Sequence, residues 1–266
     1  MKKITAPDII KMKQEGRKIP VLTAYSCPVA KILDACGIPM IIVGDSVGMA
    51  EAGHPTTLPV TMEEMIYHSS AVARGALNPL IVTDMPFGSY QTSITDARRN
   101  VARLVKEGGA QAVKVEGGRR TVETIKAISN MDVPVMGHIG LTPQSIHAFG
   151  GYKVQGKAKD HAEILLDDAK ELENAGAFAI VLECVPAELA KRITESISIP
   201  TIGIGAGPAC DGQVLVTNDM LGLDTGIRAP RFVQRYADLN GVISSAVAAY
   251  IKDVEDGEYP AKKHCY

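Results

Sequence analysis

Short, almost wholly apolar runs recur along this chain between longer polar or amphipathic stretches, and this alternation restricts the fold more than any other feature. The runs are Ile19 to Ala24, Met40 to Gly44, Leu80 to Thr83, Gln111 to Val115, Val133 to Gly137, Phe178 to Leu182 and Pro200 to Ile204, with a weaker eighth from Gln213 to Val216. A strand that is apolar on both faces has to be covered on both, so such runs alternating with helices belong to a parallel sheet. Glycine closes several intervening segments, as in Val105-Lys106-Glu107-Gly108-Gly109 and Glu173-Asn174-Ala175-Gly176, where it suits a helix C-cap before the next strand. A barrel and a doubly wound sheet both fit the pattern. At 266 residues, the barrel is the fold that commonly uses this length as one unit. The expectation is an α/β protein: a single-domain (β/α)8 TIM barrel over residues 1–266, with an extra helix between Met1 and Gly16 and a long Ala-rich helix from Ala237 to Val254.

Charge and cysteine usage narrow the partners. A formal charge of −2 without a Lys/Arg-rich block leaves no electrostatic footprint for nucleic acid or an anionic membrane. Cys27, Cys36, Cys184, Cys210 and Cys265 are odd in number and contain no C-x-x-C pair, which speaks against a disulfide framework and a structural zinc site. The basic start Met1-Lys2-Lys3 has no apolar stretch behind it, and no run approaches membrane-spanning length. A cytoplasmic protein with a small-molecule partner is expected.

Four runs end in a carboxylate: Asp45 after Ile41-Ile42-Val43-Gly44, Asp84 after Leu80-Ile81-Val82-Thr83, Glu116 after Val113-Lys114-Val115 and Glu183 after Ile180-Val181-Leu182. In a parallel barrel these ends share one mouth, where such enzymes carry their chemistry. Facing carboxylates repel, so some must protonate or a cation must neutralise them. Magnesium, a hard ion that takes oxygen ligands and keeps waters or substrate oxygens, answers that need with two or three carboxylates. Any one acid alone would equally suit a helix cap. Lys114 lies two residues before Glu116 and so faces the same side, as an internal ion pair or as a donor to an anionic substrate. His138 follows the fifth run and brings a titratable imidazole to the same mouth. The glycine-rich Gly203-Ile204-Gly205-Ala206-Gly207-Pro208 fails as a dinucleotide fingerprint, because Pro208 takes the third glycine's place; a phosphate-holding turn or a plain tight turn remains.

Around these positions stand longer motifs: Gly44-Asp45-Ser46-Val47-Gly48-Met49, His54-Pro55-Thr56-Thr57-Leu58-Pro59-Val60-Thr61, Asp84-Met85-Pro86-Phe87-Gly88-Ser89-Tyr90, Val113-Lys114-Val115-Glu116-Gly117-Gly118, Gly137-His138-Ile139-Gly140-Leu141-Thr142-Pro143-Gln144 and Gly150-Gly151-Tyr152-Lys153-Val154-Gln155-Gly156. In this order they resemble the ketopantoate hydroxymethyltransferase family, of the phosphoenolpyruvate mutase and isocitrate lyase superfamily. The resemblance implies transfer of a hydroxymethyl group from 5,10-methylenetetrahydrofolate to 3-methyl-2-oxobutanoate, giving 2-dehydropantoate (ketopantoate) through a Mg-stabilised enolate in pantothenate and coenzyme A biosynthesis. It implies Mg2+ held by Asp45, Asp84 and Glu116, the keto acid bound by Asp45, Ser46, Asp84, Lys114 and His138, and Glu183 as the proton acceptor. It also implies a homo-oligomer, a decamer of pentameric rings. One departure is Ser26, in Ala24-Tyr25-Ser26-Cys27-Pro28, where the family often carries Asp; Ser is itself a good N-cap and is expected to be structurally equivalent. Two rival readings are a Mg-dependent lyase or mutase of the same superfamily, whose Lys-Lys-Cys-Gly-His motif is absent, and a non-catalytic barrel serving as a binding protein.

Overall fold

A computed structural model describes residues 2–223 and 230–266, which form two compact units, one running to Val216 and one from Thr217 to Tyr266. The first holds eight parallel strands: β1 (Ile19–Thr23), β2 (Met40–Val43), β3 (Leu80–Asp84), β4 (Ala112–Glu116), β5 (Val135–Gly140), β6 (Ala177–Glu183), β7 (Thr201–Ile204) and β8 (Gly212–Leu215). Each pairs with its successor, and β8 pairs with β1, so the sheet closes into the expected barrel. Its helices are α1 (Ala6–Gln14), α2 (Cys27–Ala35), α3 (Val47–Ala50), α4 (Met62–Gly75), α5 (Ile94–Lys106), α6 (Val122–Ser129), α7 (Ile146–Phe149), α8 (Lys159–Asn174) and α9 (Ala187–Ser196). The second unit holds α10 (Thr217–Leu221) and α11 (Leu239–Glu255).

Local chemistry explains the element ends. Thr61 caps α4 by accepting from the Glu64 N–H, while the Glu64 carboxylate accepts from the Thr61 N–H at 2.7 Å, two otherwise unpaired donors satisfied reciprocally. Gly109 and Gly176, each at the end of a helical stretch, have φ of +70° and +98°, the conformation a helix-ending glycine supplies. Ser26 occupies the N-cap of α2 with extended backbone, but its hydroxyl makes no cap hydrogen bond. The position is that of a cap; the expected side-chain contribution is absent.

Two apolar layers enclose the strands. Outward residues such as Ile41, Val43, Ile81, Val113, Val115, Ile180 and Leu182 pack in one cluster with Leu33, Met65, Val101, Leu104, Ile128 and Leu172 of the helices. Inward residues Ile19, Val21, Met40, Ile42, Leu80, Val82, Ala112, Met136, Ala179, Val181, Ile202 and Val214 form a second cluster with Ala6, Ile9 and Met12 of α1. That helix closes the end at which the strands start: Ile4 donates to Asn78 O, just before β3, and the Lys13 ammonium donates to Ile199 O, just before β7. The opposite, C-terminal end is left to the loops. In the second unit, the Asp238 side chain caps α11 through the Gly241 N–H, and no residue of α11 is buried. Among the described residues, no helix is long and apolar enough to cross a membrane.

Candidate active site

Polar side chains continue the inward parity of the strands. The inward positions read Leu80, Val82, Asp84 on β3, Ala112, Lys114, Glu116 on β4, Met136, His138 on β5 and Ala179, Val181, Glu183 on β6. Residues two apart share a face, so each strand turns from apolar to ionisable as it nears the C-terminal mouth. Register decides who meets whom. Asp84 is level with Lys114, Glu116 with His138, and Gly140 with Glu183. His138 lies inside β5, which runs on to Gly140, rather than after the strand as the apolar run suggested. Asp45 lies two residues beyond β2, in the long connection to α4.

Lys114 is the centre of the cluster. Its Nζ is 3.1 Å from Asp84 Oδ2, 3.4 Å from Glu116 Oε1 and 3.2 Å from His138 Nδ1, and all four side chains are buried. Burial opposes the ammonium charge, but Asp84, Glu116 and Asp45 together hold it well above the ordinary lysine value. Burial likewise opposes ionisation of Glu116, yet Lys114 and His138 outweigh it and bring that carboxyl down to about 2. His138 is depressed by burial and by Lys114, and raised more strongly by Glu116 and Glu183, to about 9. Its Nε2 is 3.2 Å from Glu183 Oε2, in contact but outside hydrogen-bond geometry.

The acids outnumber the lysine they surround. Asp45 is pushed well above the usual carboxylate range, first by burial and then by the charges of Glu116 and Asp84; Asp84 is also raised, mainly by burial. Asp84 Oδ1 is buried with no hydrogen-bond partner, a condition that a native protein rarely leaves unexplained. Hard oxygen donors, excess negative charge and an unpartnered carboxylate oxygen fit a divalent ion such as Mg2+. Among the described residues, no three His, Cys, Asp or Glu side chains are grouped to hold an ion between them. The fit is therefore to an ion with few direct protein ligands, the rest of its shell being water or substrate oxygens.

The two long connections supply the rim. Ser46 Oγ is 2.8 Å from Tyr25 Oη, and a Cβ on Gly44 would lie 2.5 Å from Ser46 Oγ and displace it. From the connection after β5, the Tyr152 hydroxyl donates to Met49 Sδ at 3.5 Å, so the two loops meet. Sequence reasoning assigned no role to Tyr25, Tyr90 or Gln144, although the last two stand in the quoted motifs. Tyr90 and Gln144 are buried between the acids. The glycine-rich segment after β7 packs on α9 at Gly207, where a Cβ would lie 2.6 Å from Ala187 Cβ.

A closed parallel barrel whose C-terminal mouth gathers buried acids, a lysine and a histidine is an enzyme of the (β/α)8 class. Solved structures share that fold. Phosphonopyruvate hydrolase in complex with oxalate and Mg++ matches with a TM-score of 0.63 at 13% identity, over 98% of this chain and 93% of that one. 2,3-dimethylmalate lyase, described as a PEP mutase/isocitrate lyase superfamily member, matches with a TM-score of 0.62 at 14% identity, over 98% and 91%. The family model for ketopantoate hydroxymethyltransferase matches residues 3–262, and the chain belongs to that family. Relatives named 3-methyl-2-oxobutanoate hydroxymethyltransferase include those of Geobacter metallireducens, 59% identical over 100% of this chain and 99% of the relative, and Clostridium novyi, 56% identical over 99% and 96%.

Proposed function

We propose that the chain transfers a hydroxymethyl group from 5,10-methylenetetrahydrofolate to 3-methyl-2-oxobutanoate, giving 2-dehydropantoate (ketopantoate) for pantothenate and coenzyme A synthesis. The observation that carries this is the separation of one carboxylate from the rest. Asp84 and Glu116 are ion-paired with Lys114 and Asp45 adds its charge beside them, whereas Glu183 is partly exposed and, among the described residues, is in close contact with His138. A metal site with a free base beside it suits removal of a proton next to a carbonyl.

Asp45, Asp84 and Glu116 would hold Mg2+, directly or through water. When bound, the ion supplies Lewis acidity at the keto and carboxylate oxygens of the substrate; a structural neighbour described with oxalate and Mg++ supports this reading. Lys114, buried and held in its charged form, donates to the oxygen on which negative charge develops. Ser46 and His138 complete the keto-acid contacts, Ser46 oriented by Tyr25. Glu183 takes the C3 proton of the keto acid, and the electron pair of that C–H bond attacks the one-carbon unit, which water releases from the folate as formaldehyde; the new C–C bond replaces the carbonyl π bond, the carbonyl oxygen becomes the new hydroxyl, and tetrahydrofolate leaves. His138, 3.2 Å from the Glu183 carboxylate, would pass a proton to the new hydroxyl. A homo-oligomer, by family resemblance a decamer of pentameric rings, is supported by the exposed Val242, Ile243, Val247, Tyr250, Ile251 and Val254 of α11. The five unpaired cysteines support a reducing, cytoplasmic setting.

The test is an assay of the purified protein with both substrates and Mg2+. Ketopantoate should form, EDTA should stop it and excess Mg2+ should restore it. No product with any divalent metal would defeat the proposal.

A further inference from the structure

Gln144 bonds two of the buried acids, Asp45 and Glu116, and the direction of its amide is dictated by backbone groups. Gln91 Oε1 accepts from the Gly88 N–H at 2.8 Å and from the Tyr90 N–H at 3.4 Å. Backbone N–H groups can only donate, so the other end of the Gln91 amide is its NH2 group, which donates to Gln144 Oε1 at 2.9 Å. The Tyr90 hydroxyl accepts from the Glu116 N–H at 3.0 Å, and its own proton has two acceptors in reach, the same Gln144 oxygen at 2.8 Å and Glu116 O at 3.2 Å. The Gln91 donor on Oε1, with the shorter of the two tyrosine contacts beside it, sets Nε2 on the opposite side. There it donates to Asp45 Oδ2 at 2.8 Å and to Met85 O at 2.9 Å. The reversed amide would set its oxygen against a carboxylate oxygen and a carbonyl.

The backbone of Gln144 adds a second hold, its N–H donating to Glu116 Oε2 at 3.0 Å. One residue of the loop after β5 therefore ties one oxygen of Asp45, from the loop after β2, and one oxygen of Glu116, from β4. It also bonds the Met85 carbonyl just beyond β3. Crowded carboxylates repel one another and would otherwise splay; a neutral donor held from behind opposes this without adding a charge that competes with a cation. Gln144 is buried, whereas Gln91 is exposed, so a surface side chain sets the polarity of an interior one.

We propose that Gln144 is a positioning residue of the acidic site, and that Gln91 fixes its amide in the direction that presents a donor to Asp45. The proposal rests on Asp45 and Glu116 serving a divalent ion. Outer partners of this kind typically change metal affinity by about 10–100-fold when removed.

The experiment is titration of the full-length, metal-stripped protein with Mn2+, followed by electron paramagnetic resonance, for wild type, Gln144→Met and Gln91→Glu. Methionine keeps the volume of Gln144 and removes the donor. Glutamate at the exposed position 91 keeps the acceptor for Gly88 and Tyr90 but turns an acceptor toward Gln144 Oε1. Gln144→Met is expected to weaken Mn2+ by about 10-fold or more. Gln91→Glu should weaken it by several-fold while the melting temperature of the metal-free protein stays at the wild-type value, which separates positioning from loss of fold. Should Gln144→Met fail to fold, Gln91→Glu carries the test. Mn2+ affinities within twofold of wild type in every folded variant would overturn the proposal, and an effect in Gln144→Met alone would overturn the role of Gln91. A wild-type protein that takes up no Mn2+ would instead remove the metal reading, and the inference with it.

Discussion

His138 Nε2 lies 3.2 Å from Glu183 Oε2, and this contact sets Glu183 apart from the other strand-end acids. Asp84 and Glu116 are ion-paired to Lys114 inside the barrel. Glu183, on the far side of the imidazole, stays partly exposed. Glu183→Gln should therefore cut exchange of the substrate's C3 proton with solvent by about 100-fold or more, the usual scale for loss of a general base, while keto-acid binding stays within a few-fold. Nuclear magnetic resonance of the substrate in deuterium oxide measures the exchange directly. Exchange at the wild-type rate would remove Glu183 as the base.

The same imidazole carries a pH signature. Its folded value, about 9, stands above the ordinary histidine value of about 6.5. A raised value means that the folded protein holds the proton more tightly than the unfolded chain does. The resulting stability is complete below about pH 6.5 and is lost as pH rises through 9. Melting of the metal-free protein should fall by several degrees across that window, and His138→Asn should flatten the slope. A variant whose melting falls as steeply as wild type would show that other groups own the effect.

Much of this was legible before any coordinates, for physical reasons that also mark where legibility ends. Strands buried on both faces announce themselves as apolar runs, so the barrel and its terminal acids could be read directly. The apolar run of β5 ends at Gly137 because the polar His138 follows, although the ladder continues to Gly140. Lys114 could be placed beside Glu116 by strand period, but its contact with Asp84 depends on the register between β3 and β4, which no local pattern encodes. Tyr90 and Gln144 left no signal of a role. They are neutral, lie in connections rather than strands, and matter only through partners that the closed barrel brings together.

Gly140 is a place where backbone freedom lets the chain pass close to Glu183, the proposed base. Its φ is +92°, and a Cβ there would run into the backbone carbonyl of Glu183 and lie 2.7 Å from Val185 Cγ1. Gly140→Ala combines strain in the left-handed region with a clash against the residue that carries the base. Turnover should fall by about 10-fold or more, the scale on which small misplacements of reacting groups act, with divalent-metal affinity little changed because Asp45, Asp84 and Glu116 sit on other elements. Equal losses of turnover and metal affinity would point to general damage instead.

The exposed apolar residues of α11 test the proposed assembly. Val247 and Ile251 stand four positions apart, on one face of a helix without a buried residue. Val247→Glu with Ile251→Glu should lower the mass measured by light scattering if that face joins copies of the chain. An unchanged oligomer would exclude this face.

Lys114 is expected to show the largest cost in the metal-free protein. Removing one partner of a buried ion pair typically costs about 3–5 kcal/mol, because the other charge is left uncompensated. In Lys114→Met, the acids that the ammonium stabilised face one another in a dry site. Glu116, held at about 2 in the wild type, should then rise and take up a proton in the folded state. When the native state binds more protons than the unfolded chain, stability falls as pH rises. The gap between Lys114→Met and wild type should therefore be widest near pH 8 and narrow toward pH 5, as denaturant unfolding at the two pH values would measure. Mg2+ should narrow it at pH 8 as well, since a divalent ion neutralises the same charge. A gap that is constant with pH and indifferent to Mg2+ would mean that Lys114 contributes packing rather than charge, and would remove it as the counter-ion of the acidic site.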